Sequence, residues 1–210
     1  MLIMRTCAIA LLANCLAGAY AAEVPLFDGK TFAGWEGDTT KTWRIEDGAL
    51  VAGELSVKAP RNEFLATVKT YKNFVLRLEY KIEGTEGFVN SGVQVRSVRI
   101  DQPAHEMRGY QADIGKDWSG SIYDESRRNK VLAKADPAAI AKIENLSEWN
   151  RYEIRCEGPR IILSINGTQT VDYTETDATI PLDGHIAVQI HGDGKTIVRF
   201  RNLTIDQLPD

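Results

Sequence analysis

The sequence predicts an all-β chain, a single-domain β-sandwich or jelly roll with one short helix. Three observations lead there. Apolar and polar residues alternate with period two along several separate stretches, Asp-Gly and Asn-Gly pairs fall between them, and only one segment opens like a helix. Neither an internal repeat nor a linker divides the chain.

The strands can be justified in order. In 74–82, Phe74, Leu76, Leu78, Tyr80 and Ile82 share one face, opposite Arg77, Glu79 and Lys81. Further strands are expected at 89–98, 110–114, 152–156, 161–165, 186–190 and 197–205. Turn signals stand at Asp28-Gly29, Asp47-Gly48, Asn166-Gly167, Asp183-Gly184 and Asp193-Gly194. The Asn-Gly pair between ILSI and TQTVDY is the clearest hairpin. The helix is expected over 136–143, with Asp136 as N-cap and Pro137 in the first helical position.

Composition narrows the class. The 210 residues are 43% hydrophobic and 26% charged, with 17 Gly and 7 Pro, which excludes a collagen, a coiled coil or a disordered tail. Twenty-five basic against 29 acidic residues give a net charge of −4, and no basic block occurs. Nucleic acid and anionic membranes, which need clustered Lys and Arg, are therefore not expected as partners.

Residues 1–22 read as a secretory signal peptide. Arg5 precedes an apolar run too short to span a bilayer, and Ala19-Tyr20-Ala21 supplies the small residues of a cleavage site. The expected domain is then 23–210, exported to the periplasm or beyond. It retains Cys156 alone, so no internal disulfide forms. Cys156 sits in a strand with no His, Lys or Cys beside it, which reads as a small core side chain.

The polar faces of three strands carry the functional signal. If Val93, Val95, Ala112, Val188 and Ile190 face the core, then Gln94 and Arg96, Gln111 and Asp113, and Gln189 and His191 face the other way. A solvated sheet uses Lys, Glu and Thr, as 74–82 does with Arg77, Glu79 and Lys81. Short planar hydrogen-bonding groups suit sugar hydroxyls instead. The loop from Asp117 to Arg128 adds Trp118 and Tyr123 as flat faces for a sugar ring, with Asp124, Glu125, Arg127 and Arg128 as ionic groups.

These segments, taken in order, resemble the 3-keto-disaccharide hydrolase domain family. The resemblance runs through Leu26-Phe27-Asp28-Gly29-Lys30, Gly34-Trp35, Trp43 with Glu46-Asp47-Gly48, and Asn90-Ser91-Gly92-Val93-Gln94-Val95-Arg96. It continues through Gly109-Tyr110-Gln111-Ala112-Asp113, Gly120-Ser121-Ile122-Tyr123-Asp124-Glu125, Glu148-Trp149-Asn150 and Asn166-Gly167. It closes on residues 184–192 and Phe200-Arg201-Asn202-Leu203. The resemblance implies a jelly-roll sandwich of the concanavalin A-like lectin/glucanase type. Many members carry Glu where Gln111 stands here, which leaves Asp113 as the nearest carboxylate.

What the resemblance implies chemically is cleavage of a glycoside already oxidised to a ketone at carbon 3. The ketone acidifies the proton on carbon 2, elimination expels the glycosidic oxygen, and water adds to the product. The expected catalytic set is Asp113, Glu125 and His191. Asp113 or Glu125 serves as base, His191 or Tyr123 as proton donor, and Arg96 or a divalent metal as electrophile. The expected binding set is Asn90, Gln94, Arg96, Gln111, Trp118, Tyr123, Arg127 and Gln189. Asp113, Glu125 and His191 are donors that a divalent metal accepts, yet no ligand spacing marks a metal site. The substrate is a small carbohydrate or glycoside, supplied by a sugar 3-oxidoreductase. Two rivals remain open: a conventional glycosidase with paired carboxylates, and a lectin-like domain that binds without chemistry.

Overall fold

The computed structural model describes residues 23–210, so the proposed leader lies outside the described residues. The first of two antiparallel sheets runs in the order β13 (Thr168–Thr174), β12 (Arg160–Ile165), β11 (Asn150–Glu157), β6 (Phe74–Gly87), β15 (Gly194–Gln207), β4 (Ala49–Gly53) and β3 (Trp43–Glu46). Strand β1 (Val24–Pro25) pairs with β15. The second runs β10 (Lys130–Ala133), β9 (Ile122–Glu125), β8 (Met107–Gly115), β7 (Asn90–Arg99), β14 (Gly184–Ile190), β5 (Glu63–Tyr71) and β2 (Trp35–Glu36). The chain is the all-β sandwich expected. Among the described residues no helix is long and apolar enough to cross a membrane.

The core lies between the sheets and follows the period-two reading. Leu76, Leu78, Tyr80 and Ile82 meet Val93, Val95, Ala112, Ile114, Val188 and Ile190 in one cluster, which also takes in Cys156. Burial pushes the Cys156 thiol up to about 12, so it stays protonated as a core side chain. Asn166 and Gly167 both adopt positive φ, 49° and 82°, as a two-residue hairpin turn requires, and join β12 to β13. The helix α1 (Pro137–Ile140) is capped by Asp136, whose carboxylate accepts from the Ala138 amide.

Two features depart from simple alternation. In β5 the run Glu63 to Thr67 is buried on both faces and Phe64, Leu65 and Ala66 are all apolar, so its sequence carries no alternation and gave no strand signal. Phe64 and Ala66 form a second apolar cluster with Met107 and Ala187 on the outer face of the second sheet. Above them, the connection between β7 and β8 is tied down. Arg99 donates to the carbonyls of Phe64 and Ala104, and the Asn62 amide to Glu106. Half of that outer face is therefore covered, and a cavity opens on its β8–β9 side.

The other departure is Arg96. Its φ of 50° makes a bulge in β7, where the register with β8 slips between Val95 and Val98. The bulge takes Arg96 off the polar face.

Candidate functional site

The register of the second sheet builds the site. Gln189 stands opposite Gly92 and Gly92 opposite Asp113; one row along, Gln94 stands opposite Gln111 and Gln111 opposite Tyr123. Directly paired residues share a face, so these side chains occupy one surface. Gly92 is required there. A Cβ at that position would come within 2.6 Å of the Gln111 side chain, which lies across the glycine to reach Asp113.

A cavity of about 180 Å³ opens on this surface, lined by Phe88, Asn90, Gln111, Asp113, Trp118, Tyr123, Glu125 and His191. Asn90, Gln111 and Asp113 form a polar floor. Aromatic rings form the wall: Phe88 meets His191 edge-on at 4.6 Å between centroids, and Trp118 meets Phe88 at 6.2 Å and Tyr123 at 6.4 Å. A small apolar wall over convergent hydrogen-bonding groups gives the cavity both a flat surface and fixed polar partners.

Beneath the cavity, a chain of hydrogen bonds orients Asp113. The Ser97 hydroxyl donates to Gln94 Oε1 at 2.5 Å, Gln94 Nε2 to Gln111 Oε1 at 3.0 Å, and Gln111 Nε2 to Asp113 Oδ1 at 2.9 Å. Every amide in the chain points its donor toward Asp113. Oδ1 is thereby fixed as an acceptor, and the buried Oδ2 is left without a protein partner. Asp113 is only 3% exposed. Burial drives its pKa up to about 7, with the charge of Glu125 adding and the Gln111 bond opposing. Burial also raises Glu125 to about 7, helped by the charge of Glu106. The cavity thus holds two carboxyls that exchange protons near neutrality.

His191 is held by its own turn. Its Nδ1 lies 2.8 Å from the Gly192 carbonyl, which can only accept, so Nδ1 carries the proton and Nε2 is the free nitrogen. The Asn90 side chain is buried to 2% exposure and lines the cavity beside Gly115.

Four expected residues lie elsewhere. Gln94 and Gln189 share the surface but are fully buried under it, Gln94 as a link in the chain to Asp113. Arg96 is spent on structure. Its guanidinium donates to the carbonyls of Lys72 at 2.7 and 2.9 Å and of Gly158 at 2.7 Å, joining turns at the end of the sandwich. Arg127 also turns away from the cavity. It bonds Asp124 at 2.8 Å and stacks over Tyr110, 4.5 Å from the ring centroid, because Asp124 is in register with core-facing Tyr110. Arg128 joins that network by bonding Asp124 and Glu175. Phe88 was missed by sequence reading, although its parity with Asn90 across the β6–β7 turn marked the face.

A metal does not fit this arrangement. Among the described residues no three His, Cys, Asp or Glu side chains group closely enough to hold one ion, although Asp113, Glu125 and His191 line the same cavity.

Sheet order defines a concanavalin A-like sandwich, with the cavity on the outer face of one sheet. Residues 22–206 match the model of the 3-keto-alpha-glucoside-1,2-lyase-like domain, and the chain belongs to that family. It is 24% identical over 174 residues to a 3-keto-disaccharide hydrolase of Bacteroides thetaiotaomicron; the match takes in 71% of this chain and 58% of that protein. Among solved structures it is similar to a candidate glycosyl hydrolase of Parabacteroides distasonis, at 25% identity and TM-score 0.66, covering 90% of this chain and all of that one. The β-glucanase of Bacillus licheniformis shares the fold at TM-score 0.54 and 10% identity, with 91% of this chain and 100% of that one covered.

Proposed function

We propose that the chain cleaves 3-keto-glycosides by proton abstraction and elimination, followed by hydration. The observation that carries this reading is Asp113 Oδ2, a buried carboxylate oxygen with no protein partner at the floor of a ring-sized cavity. Family membership supports the substrate class.

In the proposed reaction, Asp113 takes the proton from carbon 2. The C–H electron pair forms the enolate with the ketone at carbon 3, and the Asn90 amide is placed to donate to the developing oxyanion. As the enolate collapses back to the ketone, a double bond forms between carbons 1 and 2 and the glycosidic oxygen leaves. Glu125, protonated about half the time near pH 7, gives that oxygen its proton. Water then adds across the double bond and yields the free 3-keto sugar. Gln111 and Gln94 keep Asp113 aimed, while Trp118, Phe88 and Tyr123 hold the ring. His191 Nε2 and the Tyr123 hydroxyl are the second proton carriers at the rim.

The reading also places the chain after an oxidoreductase that makes the carbon-3 ketone, and the leader-like segment 1–22 supports export to the periplasm. A 3-keto-glycoside deuterated at carbon 2 tests the chemistry. It should lose its label to solvent as it is cleaved, while the unoxidised parent is untouched. Cleavage of the parent with label retained would instead favour a conventional glycosidase, and binding without cleavage a lectin.

A further inference from the structure

A second, larger groove of about 900 Å³ lies beside the cavity, and Trp118 lines both. The β6–β7 turn divides them, with Phe88 facing the small cavity and its neighbour Val89 facing the groove. The groove runs between that turn, the β8–β9 loop and α1. Its walls are mainly apolar, including Leu55, Val89, Ile140 and Ala141, and Glu144 is a half-buried polar group among them. The Tyr80 hydroxyl, buried in the core, donates to the Glu144 carboxylate and holds it at the groove floor.

Size separates the two spaces. The 180 Å³ cavity is below the roughly 300–1,000 Å³ range of sites that enclose a whole small ligand, whereas the groove falls within it. A glycoside seated with its oxidised ring in the cavity therefore has its other half to place. The continuous surface leading out of the cavity is the Trp118 ring.

We infer that the groove is the leaving-group subsite, and that it selects a planar, largely apolar aglycone over a second sugar. This rests on the elimination reading for its substrate. Two features choose the occupant: the mainly apolar walls and the half-buried indole at the junction, while polar lining groups such as Thr85, Lys116, Asp117 and Asn145 stand at exposed positions.

The test compares three 3-keto-glucosides whose leaving groups are all alkoxides: methyl, 2-phenylethyl and a second glucose. Leaving-group chemistry is then similar, and differences in kcat/KM report the groove. The phenylethyl compound should exceed both others by about tenfold or more, mainly through KM. Ala141→Arg, which fills the groove from α1, and Leu55→Asp, from the opposite wall, should each erase most of that advantage. Equal kcat/KM for the three in the unaltered protein, or an advantage that survives both variants, overturns the groove while leaving the elimination reading intact. If no 3-keto-glucoside is cleaved, the elimination reading fails instead. Calorimetric titration with 2-phenylethyl and methyl glucoside then decides the groove: about tenfold tighter binding of the former, lost in Ala141→Arg, supports it, and equal binding overturns it.

Discussion

The two sheets present outer faces of opposite character, built from overlapping residue types. On the first sheet, carboxylates and cations meet in exposed pairs: Arg77 with Glu153 at 2.8 Å, Arg201 with Glu79 at 2.7 Å, Lys81 with Glu83 at 3.0 Å. On the second, Asp113 is buried and Glu125 half-buried, and neither forms an ion pair. A carboxylate that keeps water and gains a cation is a solvated surface group. One that loses water and gains only amide neighbours is pushed toward neutrality and becomes a proton carrier. Enclosure and partner, more than residue type, separate the face with raised carboxyls from the ion-paired one.

Amide substitution should break that contrast most sharply at Asp113. Asp113→Asn keeps the shape and can still accept from Gln111 Nε2, but it cannot take a proton. Loss of a positioned base typically costs about 10²–10⁴-fold in rate. Cleavage of a 3-keto-glycoside should fall by that much while substrate binding, measured by calorimetry, is retained. A variant with near-normal turnover would move the base to Glu125, where Glu125→Gln would then carry the loss.

The same enclosure should leave a mark on stability. Asp113 and Glu125 both titrate near 7 in the folded protein, well above their unfolded values. Between about pH 4 and 7 the folded state holds protons that the unfolded chain has released, so stability falls as pH rises through that window and levels off above it. Thermal melts across pH 4–8 should show this decline, on the order of a few kcal/mol. It should flatten in the Asp113→Asn, Glu125→Gln double variant, which should melt higher than the unaltered protein at pH 8. A decline unchanged by the double variant would place its source in other groups.

Arg96 shows where sequence reading and structure part. Alternation places it beside Gln94 on the ligand face, and nothing in Val-Gln-Val-Arg-Ser announces a left-handed residue at Arg96. The bulge is set by the turns that its guanidinium joins, which are distant in sequence. Asp113, Gln111 and Gln189 obey alternation because β8 and β14 are regular where they stand. The fold was legible wherever apolar core positions alternate with polar ones, whether the outer face is wet, as on β6, or buried, as on β7, β8 and β14. It was not legible in β5, where Phe64 and Ala66 make the outer face apolar too, nor for Arg127, whose partner Asp124 has core parity with Ile122 in a stretch that sequence reading treated as loop. Arg96→Lys should therefore act on stability. The shorter ammonium lacks the planar fork that spans the part-buried carbonyls of Lys72 and Gly158, and the loss should be about 1–3 kcal/mol in denaturant melts. A raised KM with unchanged stability would return Arg96 to the ligand site.

The smallest effect belongs to the first sheet. Glu153→Gln removes the partner of Arg77, but both side chains are more than 40% exposed and water replaces what is lost. Exposed pairs of this kind are worth about 0.2–1 kcal/mol, less as salt screens them. The expected change in stability therefore lies at or below the low end of that range at 0.15 M salt, with turnover unaffected. Because Glu153 keeps its water when ionised, the variant should also leave the decline between pH 4 and 7 in place. That makes it the matched control for Asp113→Asn: the same loss of one carboxylate on the opposite face of the sandwich. If Glu153→Gln flattened the pH dependence as strongly as the double variant, enclosure would not be what distinguishes the two faces.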